Sequence, residues 1–199
     1  MKRNIRIAIQ KDGRMRAPSL DFLASLGIEI SGEGGVLREV CEKTGVEVLF
    51  VRNSDIPVYV EQNVADFGIT GKNVILEKNS KVQVLKTLGF GECQLVIAGP
   101  KEKVNADISE ARIATSYPNS LKKYLGKIGK SAAIIEINGA VEIAPALNLA
   151  DFICDICQSG RTLKENGLKV MEVIFDSEAV LIGGNSLTPE KCASILGEI

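Results

Sequence analysis

Short apolar segments alternate with segments of helical periodicity along the chain, and this alternation constrains the fold more than any other feature. Segments typical of strands lie at 5–9, 46–51, 66–71, 95–98, 112–115, 132–137, 170–175 and 178–182. Segments typical of helices lie at 17–26, 56–63, 73–78, 119–128, 142–147 and 189–196. The alternation predicts an α/β fold with largely parallel sheets.

The length of 199 residues suits either one large domain or two small lobes. The glycine-containing stretch 89–91 and the region near 175–176 are candidate crossings between two lobes. We expect a first lobe formed by residues 1–90 and 176–199, and a second lobe formed by residues 91–175. A ligand would then bind in a cleft between the lobes, facing the carboxyl ends of the strands.

The composition excludes several classes of function. The formal net charge is -1, from 24 basic and 25 acidic residues, so the chain lacks the basic field that holds nucleic acid. The sequence contains no histidine, which removes histidine-based general bases and triads. No signal peptide or membrane-spanning apolar run is visible, so we expect a cytoplasmic protein that does not bind membranes.

The five cysteines lie mostly in apolar segments, which favours reduced, buried thiols. Cys154 and Cys157 have C-x-x-C spacing, but they fall within a predicted strand and not at a helix N-terminus. Redox activity is therefore not expected. Zinc binding is not expected either, because the chain has no second pair and no histidine. We predict no metal ligands from the protein.

The segment that begins at Phe152 combines an acid with a phosphate-binding pattern. It reads as an apolar strand carrying Asp155, then the sequence Ser-Gly-Arg-Thr at 159–162, then a short helix. Small residues, hydroxyls and free backbone N–H groups at a helix start suit a phosphate, and the acid suits the hydroxyls of an attached ribose. The alternative is an ordinary corner in which Ser159 caps the helix and Gly160 makes the turn.

Three further strands are followed by polar or glycine-containing loops. The residues that suit an anion there are Lys11, Gly13, Arg14, Arg52, Gly71, Lys72 and Asn73. Arg52 stands at a strand end and suits a bidentate grip on pyrophosphate, with a salt bridge to Asp55 as the alternative. Each loop alone could be a plain turn. Four such loops at strand ends indicate a phosphate-rich ligand.

The stretch 142–163 carries a family resemblance. It reads EIAPALNLADFICDICQSGRTL, and supporting stretches lie at 6–11 with 13–14, at 55–57, at 66–71 and at 112–118. In length and pattern these segments resemble the signature of the ATP phosphoribosyltransferases, and the resemblance covers nearly the whole chain. The family implies a two-lobed fold like that of the type II periplasmic binding proteins, with a central cleft.

The resemblance also implies a reaction and its residues. N1 of ATP attacks C1 of phosphoribosyl pyrophosphate, releasing pyrophosphate in a Mg²⁺-dependent first step of histidine biosynthesis. By position, Glu142 and Asp155 resemble the acids that hold the ribose hydroxyls. Residues 159–162, including Arg161 and Thr162, resemble the 5-phosphate loop. Arg52 resembles an arginine near the pyrophosphate. We expect Arg52, Glu142 and Asp155 to be catalytic.

The chain departs from the family pattern at several points. Asn148 stands where the signature commonly has glycine, and the region 31–38 matches poorly, with Arg38 as the nearest candidate for a second substrate-gripping arginine. The family's long form has a C-terminal regulatory domain, which we do not expect here. The chain is either a natural short form or a cut long form. A short form implies a homodimer and a regulatory subunit resembling histidyl-tRNA synthetase.

Other classes of function remain as alternatives. A solute-binding protein of the same fold would lack catalysis, although its secretion would require a signal peptide. The nucleotide-salvage phosphoribosyltransferases also place an acid before Thr/Ser-Gly-x-Thr, but they carry two adjacent acids with tighter spacing than Asp155 has to Ser159. A catalytic core that is silent without its partner is the third alternative.

Overall fold

The computed structural model describes residues 4–32 and 35–197. These residues form two compact units, one running up to Gly91 and resuming at Glu178, the other spanning Glu92–Ser177. That the two units are lobes enclosing one cleft stays a prediction.

The secondary structure follows the predicted alternation. In chain order the elements are β1 (Arg6–Gln10), α1 (Arg16–Ser25), β2 (Arg38–Val40), β3 (Glu47–Val51), α2 (Ile56–Glu61), β4 (Phe67–Gly71), α3 (Lys72–Lys78), β5 (Gln83–Thr87), β6 (Cys93–Pro100), β7 (Arg112–Thr115), α4 (Pro118–Lys127), β8 (Ala133–Glu136), β9 (Phe152–Cys157), α5 (Arg161–Glu165), β10 (Leu168–Ser177), β11 (Ala179–Gly183) and α6 (Pro189–Leu196).

The first unit is built on a six-stranded sheet in the order β2-β3-β1-β4-β11-β5. β1 is parallel to both β3 and β4, whereas β2 and β11 run antiparallel to their neighbours. Ile7, Ala8 and Ile9 of β1 are fully buried, because apolar clusters pack on both faces of this strand. The carboxyl ends of three adjacent strands therefore share one edge of the sheet.

The second unit is built on a five-stranded sheet in the order β10-β6-β9-β7-β8. β7 is parallel to β8 and β9, and β6 runs antiparallel to β9 and β10. Two apolar clusters cover its two faces. Cys154 packs in one cluster and Cys157 packs against the other, so their side chains point to opposite faces of the sheet. All five cysteines are free thiols, and the C-x-x-C pair cannot close a disulfide.

The structure corrects three expectations. Both sheets are mixed and not largely parallel, because the strands adjoining the changes of unit run antiparallel to their neighbours. β2 and β5 were not predicted: both are edge strands, β2 is short and polar and pairs with the next strand β3, and β5 pairs with the distant strand β11. The predicted helix 142–147 is wrong: only Val141–Ile143 forms a 3₁₀ turn, because Pro145 lacks the N–H that a helical hydrogen bond would need.

No helix within the described ranges 4–32 and 35–197 has the length and apolar character needed to cross a bilayer.

Candidate functional site

Three neighbouring strands of the first unit lead into the predicted phosphate-binding loops. Lys11 follows β1, Arg52 follows β3, and Lys72 follows β4. The first two loops are directly joined, because the backbone N–H of Lys11 donates to the carbonyl of Val51 at 2.8 Å. The parallel pairing thus brings three cationic residues to one edge of the sheet, where ligands of such sheets bind.

The turn at Gly71 depends on the absence of a side chain. A Cβ atom placed on Gly71 would lie 2.2 Å from Oδ1 of Asn73, so the buried Asn73 side chain occupies that space. The hydroxyl of Thr70 donates to Oδ1 of Asn53 at 2.9 Å. This hydrogen bond ties the end of β4 to the segment that follows Arg52.

Arg52 has no ion-pair partner within the described part of the chain. Its side chain is exposed, and Asp55 instead accepts a hydrogen bond from the hydroxyl of Ser54 at 2.9 Å. The alternative of an Arg52–Asp55 salt bridge is therefore not observed. Gly13 and Arg14 are exposed in the loop after β1, and Gly13 has a φ of 111°, which only glycine adopts readily.

The side chain of Arg38 is held away from the anion-binding candidates. Its Nε is ion-paired with Glu47, a buried carboxylate at the start of β3 that also pairs with Arg6. Arg52 follows the other end of the same strand. The guanidinium of Arg38 thus lies at the opposite end of β3 from the anion-binding candidates, and the hypothesis that it grips the substrate is not supported.

In the second unit, Asp155 lies near the end of β9, beside the end of the parallel strand β7. The backbone N–H of Ile156 donates to Oδ1 of Asp155 at 2.8 Å, and the hydroxyl of Ser116 donates to the same oxygen at 3.4 Å. Burial raises the pKa of Asp155 to about 6, the hydrogen bond from Ile156 opposes this rise, and the negative charge of Glu142 adds to it. The charge of Glu142 therefore acts on Asp155, the acid with which it is predicted to work.

The raised pKa of Asp155 leads to a testable dependence of stability on pH. The folded chain keeps this proton up to about pH 6, whereas the unfolded chain releases it near 3.8. The folded state therefore binds more protons in this interval, and the contribution of Asp155 to the free energy of unfolding falls as the pH rises through it. Asp155→Asn should remove that fall.

Urea midpoints of wild type and Asp155→Asn, compared from pH 4 to pH 7, measure the effect. Wild type should lose stability relative to the variant up to about pH 6 and then level off. The lysine and arginine beside Asp107 and Asp151 lower the pKa of each carboxyl to about 2, and because both proteins contain these groups their contributions cancel in the difference between wild type and variant. A difference between the two proteins that stays constant with pH would contradict the raised pKa.

Glu142 is carried by the 3₁₀ turn at Val141–Ile143. Val141 anchors that turn, because it is buried in the same apolar cluster as Ile153 of β9. Ile153 and Asp155 are two residues apart on one strand, so their side chains share a face of the sheet. The buried turn and the strand thus bring Glu142 to the face that carries Asp155.

An arginine clamp holds the segment after Glu142. Nε and Nη2 of Arg112 donate to the two carboxylate oxygens of Asp151 at 3.2 and 3.0 Å, and Nη1 donates to the carbonyl of Asn148 at 2.9 Å. Asn148 has a φ of 55°, a left-handed conformation that asparagine tolerates better than most residues. Glycine adopts this conformation readily as well.

Residues 159–162 form a tight corner between β9 and the short helix α5. Gly160 has a φ of 70°, and its carbonyl accepts the backbone N–H of Lys164 at 3.0 Å. Ser159, Arg161 and Thr162 are exposed. Nε of Arg161 donates to Glu165 at 2.7 Å, so this guanidinium is directed along the helix. The hydroxyls of Ser159 and Thr162 are the groups on the corner that suit a phosphate.

Sequence reasoning missed two residues of this site. Ser116 lies within the family-like stretch 112–118, and its position directly after a strand could have identified it. Arg112 gave no local signal, because its partner Asp151 is 39 residues away in the chain.

No group of three or more carboxylate, thiol or imidazole side chains within residues 4–32 and 35–197 could hold a metal ion. Glu142 and Asp155 form a pair of acids only. A divalent cation that already carries phosphate ligands needs no more than one or two carboxylates.

Comparison with known proteins gives consistent matches. The family model described as ATP phosphoribosyltransferase matches residues 52–199. An ATP phosphoribosyltransferase of Cytophaga hutchinsonii is 48% identical over 198 residues, which cover 98% of this chain and 69% of that protein.

Solved structures give matches consistent with the sequence comparisons. A chain of an ATP phosphoribosyl transferase (HisG:HisZ) complex from Thermotoga maritima superposes with a TM-score of 0.78 at 34% identity, covering 90% of this chain and 87% of that one. The alkanesulfonate-binding protein SsuA from Xanthomonas axonopodis pv. citri gives 0.59 at 14% identity, covering 97% and 69%, a likeness of fold alone. The predicted fold class, that of the type II periplasmic binding proteins, is confirmed.

Proposed function

Because the chain belongs to the ATP phosphoribosyltransferase family, we propose that it transfers the phosphoribosyl group of phosphoribosyl pyrophosphate to N1 of ATP. This reaction is the first step of histidine biosynthesis and makes the protein a pentosyltransferase. The observation that carries the proposal is the folding of the signature stretch 142–163 into two neighbouring acids and a glycine corner at the end of one strand.

Asp155 and Glu142 would bind the ribose. Ionised carboxylates accept hydrogen bonds from neighbouring hydroxyls more strongly than neutral groups do. Oδ1 of Asp155 already accepts from Ile156 and Ser116, which leaves Oδ2 for a ligand hydroxyl. Ser116 would orient the carboxylate.

The corner at 159–162 would bind the 5-phosphate. The exposed hydroxyls of Ser159 and Thr162 offer donors, and the bare backbone at Gly160 allows close approach of phosphate oxygens. Arg161 would contribute its backbone N–H, which lies beside the hydroxyl of Ser159, because its side chain is paired with Glu165.

The loops of the first unit would bind ATP and the pyrophosphate. The residues are Lys11, Gly13, Arg14, Arg52, Gly71, Lys72 and Asn73. Arg52 has the strongest support, because its exposed guanidinium lacks an ion-pair partner among the described residues. Arginine matches the geometry of phosphate oxygens with a fork of parallel N–H donors.

The proposed reaction requires little proton transfer by the protein. The lone pair of adenine N1 forms the new bond to C1, and the bond from C1 to the pyrophosphate oxygen breaks with its electron pair leaving on pyrophosphate. Positive charge develops on the ribose, where Asp155 and Glu142 would stabilise it, and negative charge develops on pyrophosphate beside Arg52. A chain without histidine can therefore carry out the step.

The proposed cation is Mg²⁺. The described residues contain no group of three or more metal-ligating side chains, which favours a Mg²⁺ ion held mainly by the substrate's phosphates. Bound there, the ion would neutralise phosphate charge.

A regulatory partner and a cellular location complete the proposal. The Thermotoga maritima relative was solved as a HisG:HisZ complex, which supports a regulatory subunit resembling histidyl-tRNA synthetase for this chain. We propose a homodimer as the form without that subunit.

The five free thiols and the use of ATP favour the cytoplasm.

The function is tested by incubating the chain with ATP, phosphoribosyl pyrophosphate and Mg²⁺ and following N1-phosphoribosyl-ATP, with and without a synthetase-like subunit. We expect product in at least the second case, and histidine inhibition only when the subunit is present, because feedback needs a second binding site. Purine bases offered in place of ATP are the control for a salvage enzyme. Absence of product under both conditions, or micromolar histidine binding by the isolated chain, would contradict the proposal.

A further inference from the structure

Arg16, the first residue of α1, joins two loops of the first unit. Nη1 donates to the carbonyl of Lys11, in the loop after β1, and Nη2 donates to the carbonyl of Gly32, in the segment after α1. The Cζ atom lies 5.0 Å from the centre of the Phe50 ring, which is almost completely buried in β3. The guanidinium is thus fixed by two carbonyls and one aromatic face.

The contact on the Gly32 side is itself firmly held. The carboxylate of Glu39 accepts hydrogen bonds from the backbone N–H of Ser31 at 2.9 Å, from its hydroxyl at 3.0 Å and from the backbone N–H of Gly32 at 2.9 Å. A Cβ atom placed on Gly32 would lie 2.8 Å from Nη2 of Arg16, so the glycine makes room for the guanidinium. The backbone of Gly32, which Glu39 holds, therefore fixes the guanidinium that also contacts Lys11.

The contact on the Lys11 side leads to the anion-binding candidates. The backbone N–H of Lys11 donates to the carbonyl of Val51 at 2.8 Å, and Arg52 is the next residue. The backbone N–H of Arg16 also donates to the carbonyl of Gly13 at 3.1 Å. One arginine thereby fixes the loop that carries Lys11, and that loop is hydrogen-bonded to the strand that ends at Arg52.

We propose that Arg16 is a positioning residue that holds Lys11 in register with Arg52, so that both cations act on one polyphosphate. This inference rests on the proposed function. Only arginine suits the role, because its planar fork can donate to two carbonyls while stacking on a ring, whereas a lysine ammonium is a single point charge on a flexible stem.

The experiment compares Arg16→Lys and Arg16→Ala with Arg6→Ala as a matched control. Arg6 belongs to the same unit and its guanidinium pairs with Glu47, but it lies at the opposite end of β1 from Lys11. The measurements are the dissociation constant of inorganic pyrophosphate by calorimetry, the KM for ATP, kcat and the melting temperature.

Both Arg16 variants should weaken pyrophosphate binding and raise the KM for ATP by about tenfold to a hundredfold, with a smaller change in kcat. Added guanidinium ion should partly restore Arg16→Ala but not Arg16→Lys, whose stem fills the space. Arg6→Ala should lower the melting temperature and leave pyrophosphate affinity unchanged.

The outcomes separate this inference from the proposed function. A wild-type chain that makes no product overturns the function alone, because the pyrophosphate affinities still report on Arg16. Wild-type affinity in Arg16→Lys, an equal loss in Arg6→Ala, or no measurable pyrophosphate binding by wild type overturns the positioning role.

Discussion

Replacing Gly160 is expected to raise the KM for phosphoribosyl pyrophosphate strongly, and the most informative replacement is Gly160→Asn. At a φ of 70° a β-branched residue such as the valine of Gly160→Val is strained, at a cost of roughly 1–2 kcal/mol, whereas asparagine tolerates this conformation. Among residues 4–32 and 35–197, a Cβ atom at this position meets only Sγ of Cys157, at 3.7 Å. The free protein therefore has room for a side chain, and a loss of affinity reports obstruction of the phosphate.

Thr162→Val tests the same corner without touching the backbone. Loss of the hydroxyl leaves a phosphate oxygen short of a donor, worth about 1–3 kcal/mol, or on the order of tenfold to a hundredfold in KM. Thr162→Ser keeps the hydroxyl and is the matched control, expected to remain close to wild type. Steady-state kinetics with varied phosphoribosyl pyrophosphate measure both changes. If Gly160→Asn and Thr162→Val both keep the wild-type KM, the corner does not bind the phosphate.

Asp155→Asn and Glu142→Gln are expected to weaken binding of the ribosyl substrate and to lower kcat. Hydrogen bonds to charged groups contribute about 1.5–3 kcal/mol, so each amide should cost on the order of tenfold to a hundredfold in kcat/KM. An asparagine at 155 can still accept the backbone N–H of Ile156 through its own Oδ1, so the strand should keep its geometry.

The matched control for these acids is Asp107→Asn. It removes one negative charge from the same unit, but Asp107 pairs with Lys130 and precedes β7, whereas Asp155 lies beside the other end of that strand. Calorimetry with phosphoribosyl pyrophosphate should show weaker binding by Asp155→Asn and Glu142→Gln, and binding close to that of wild type by Asp107→Asn. Substrate binding as tight in Asp155→Asn and Glu142→Gln as in Asp107→Asn would show that the acids do not hold the ribose.

The sequence predicted best those features that depend on neighbours in the chain. The strand that carries Asp155 has a local pattern, an apolar run, and it occurs where it was predicted. The helix that begins at Pro118 has helix-start residues and also occurs at the predicted place. The predicted helix 142–147 failed because Pro145, which lacks a backbone N–H, overrides the apolar spacing. Roles for the individual site residues stay predictions.

Features that depend on distant residues could not be predicted. The edge strand β5 pairs with β11, which follows the whole of Glu92–Ser177 in the chain. The partnership of Arg112 with Asp151 joins residues 39 apart in the chain, and that of Arg16 with Gly32 joins residues 16 apart. A single sequence gives residue types and spacing, whereas these contacts are set by tertiary packing.

The position of β11 has a consequence for the order in which the chain can mature on the ribosome. This strand is fully buried between β4 and β5, yet it is made after the whole of Glu92–Ser177. The continuous unit can complete its sheet as soon as it emerges, whereas the first unit must wait for β11, through which β5 joins its sheet. Until β11 is made, one edge of β4 stays open and β5 lacks its partner strand, and this is the interval in which the protein is most exposed to aggregation.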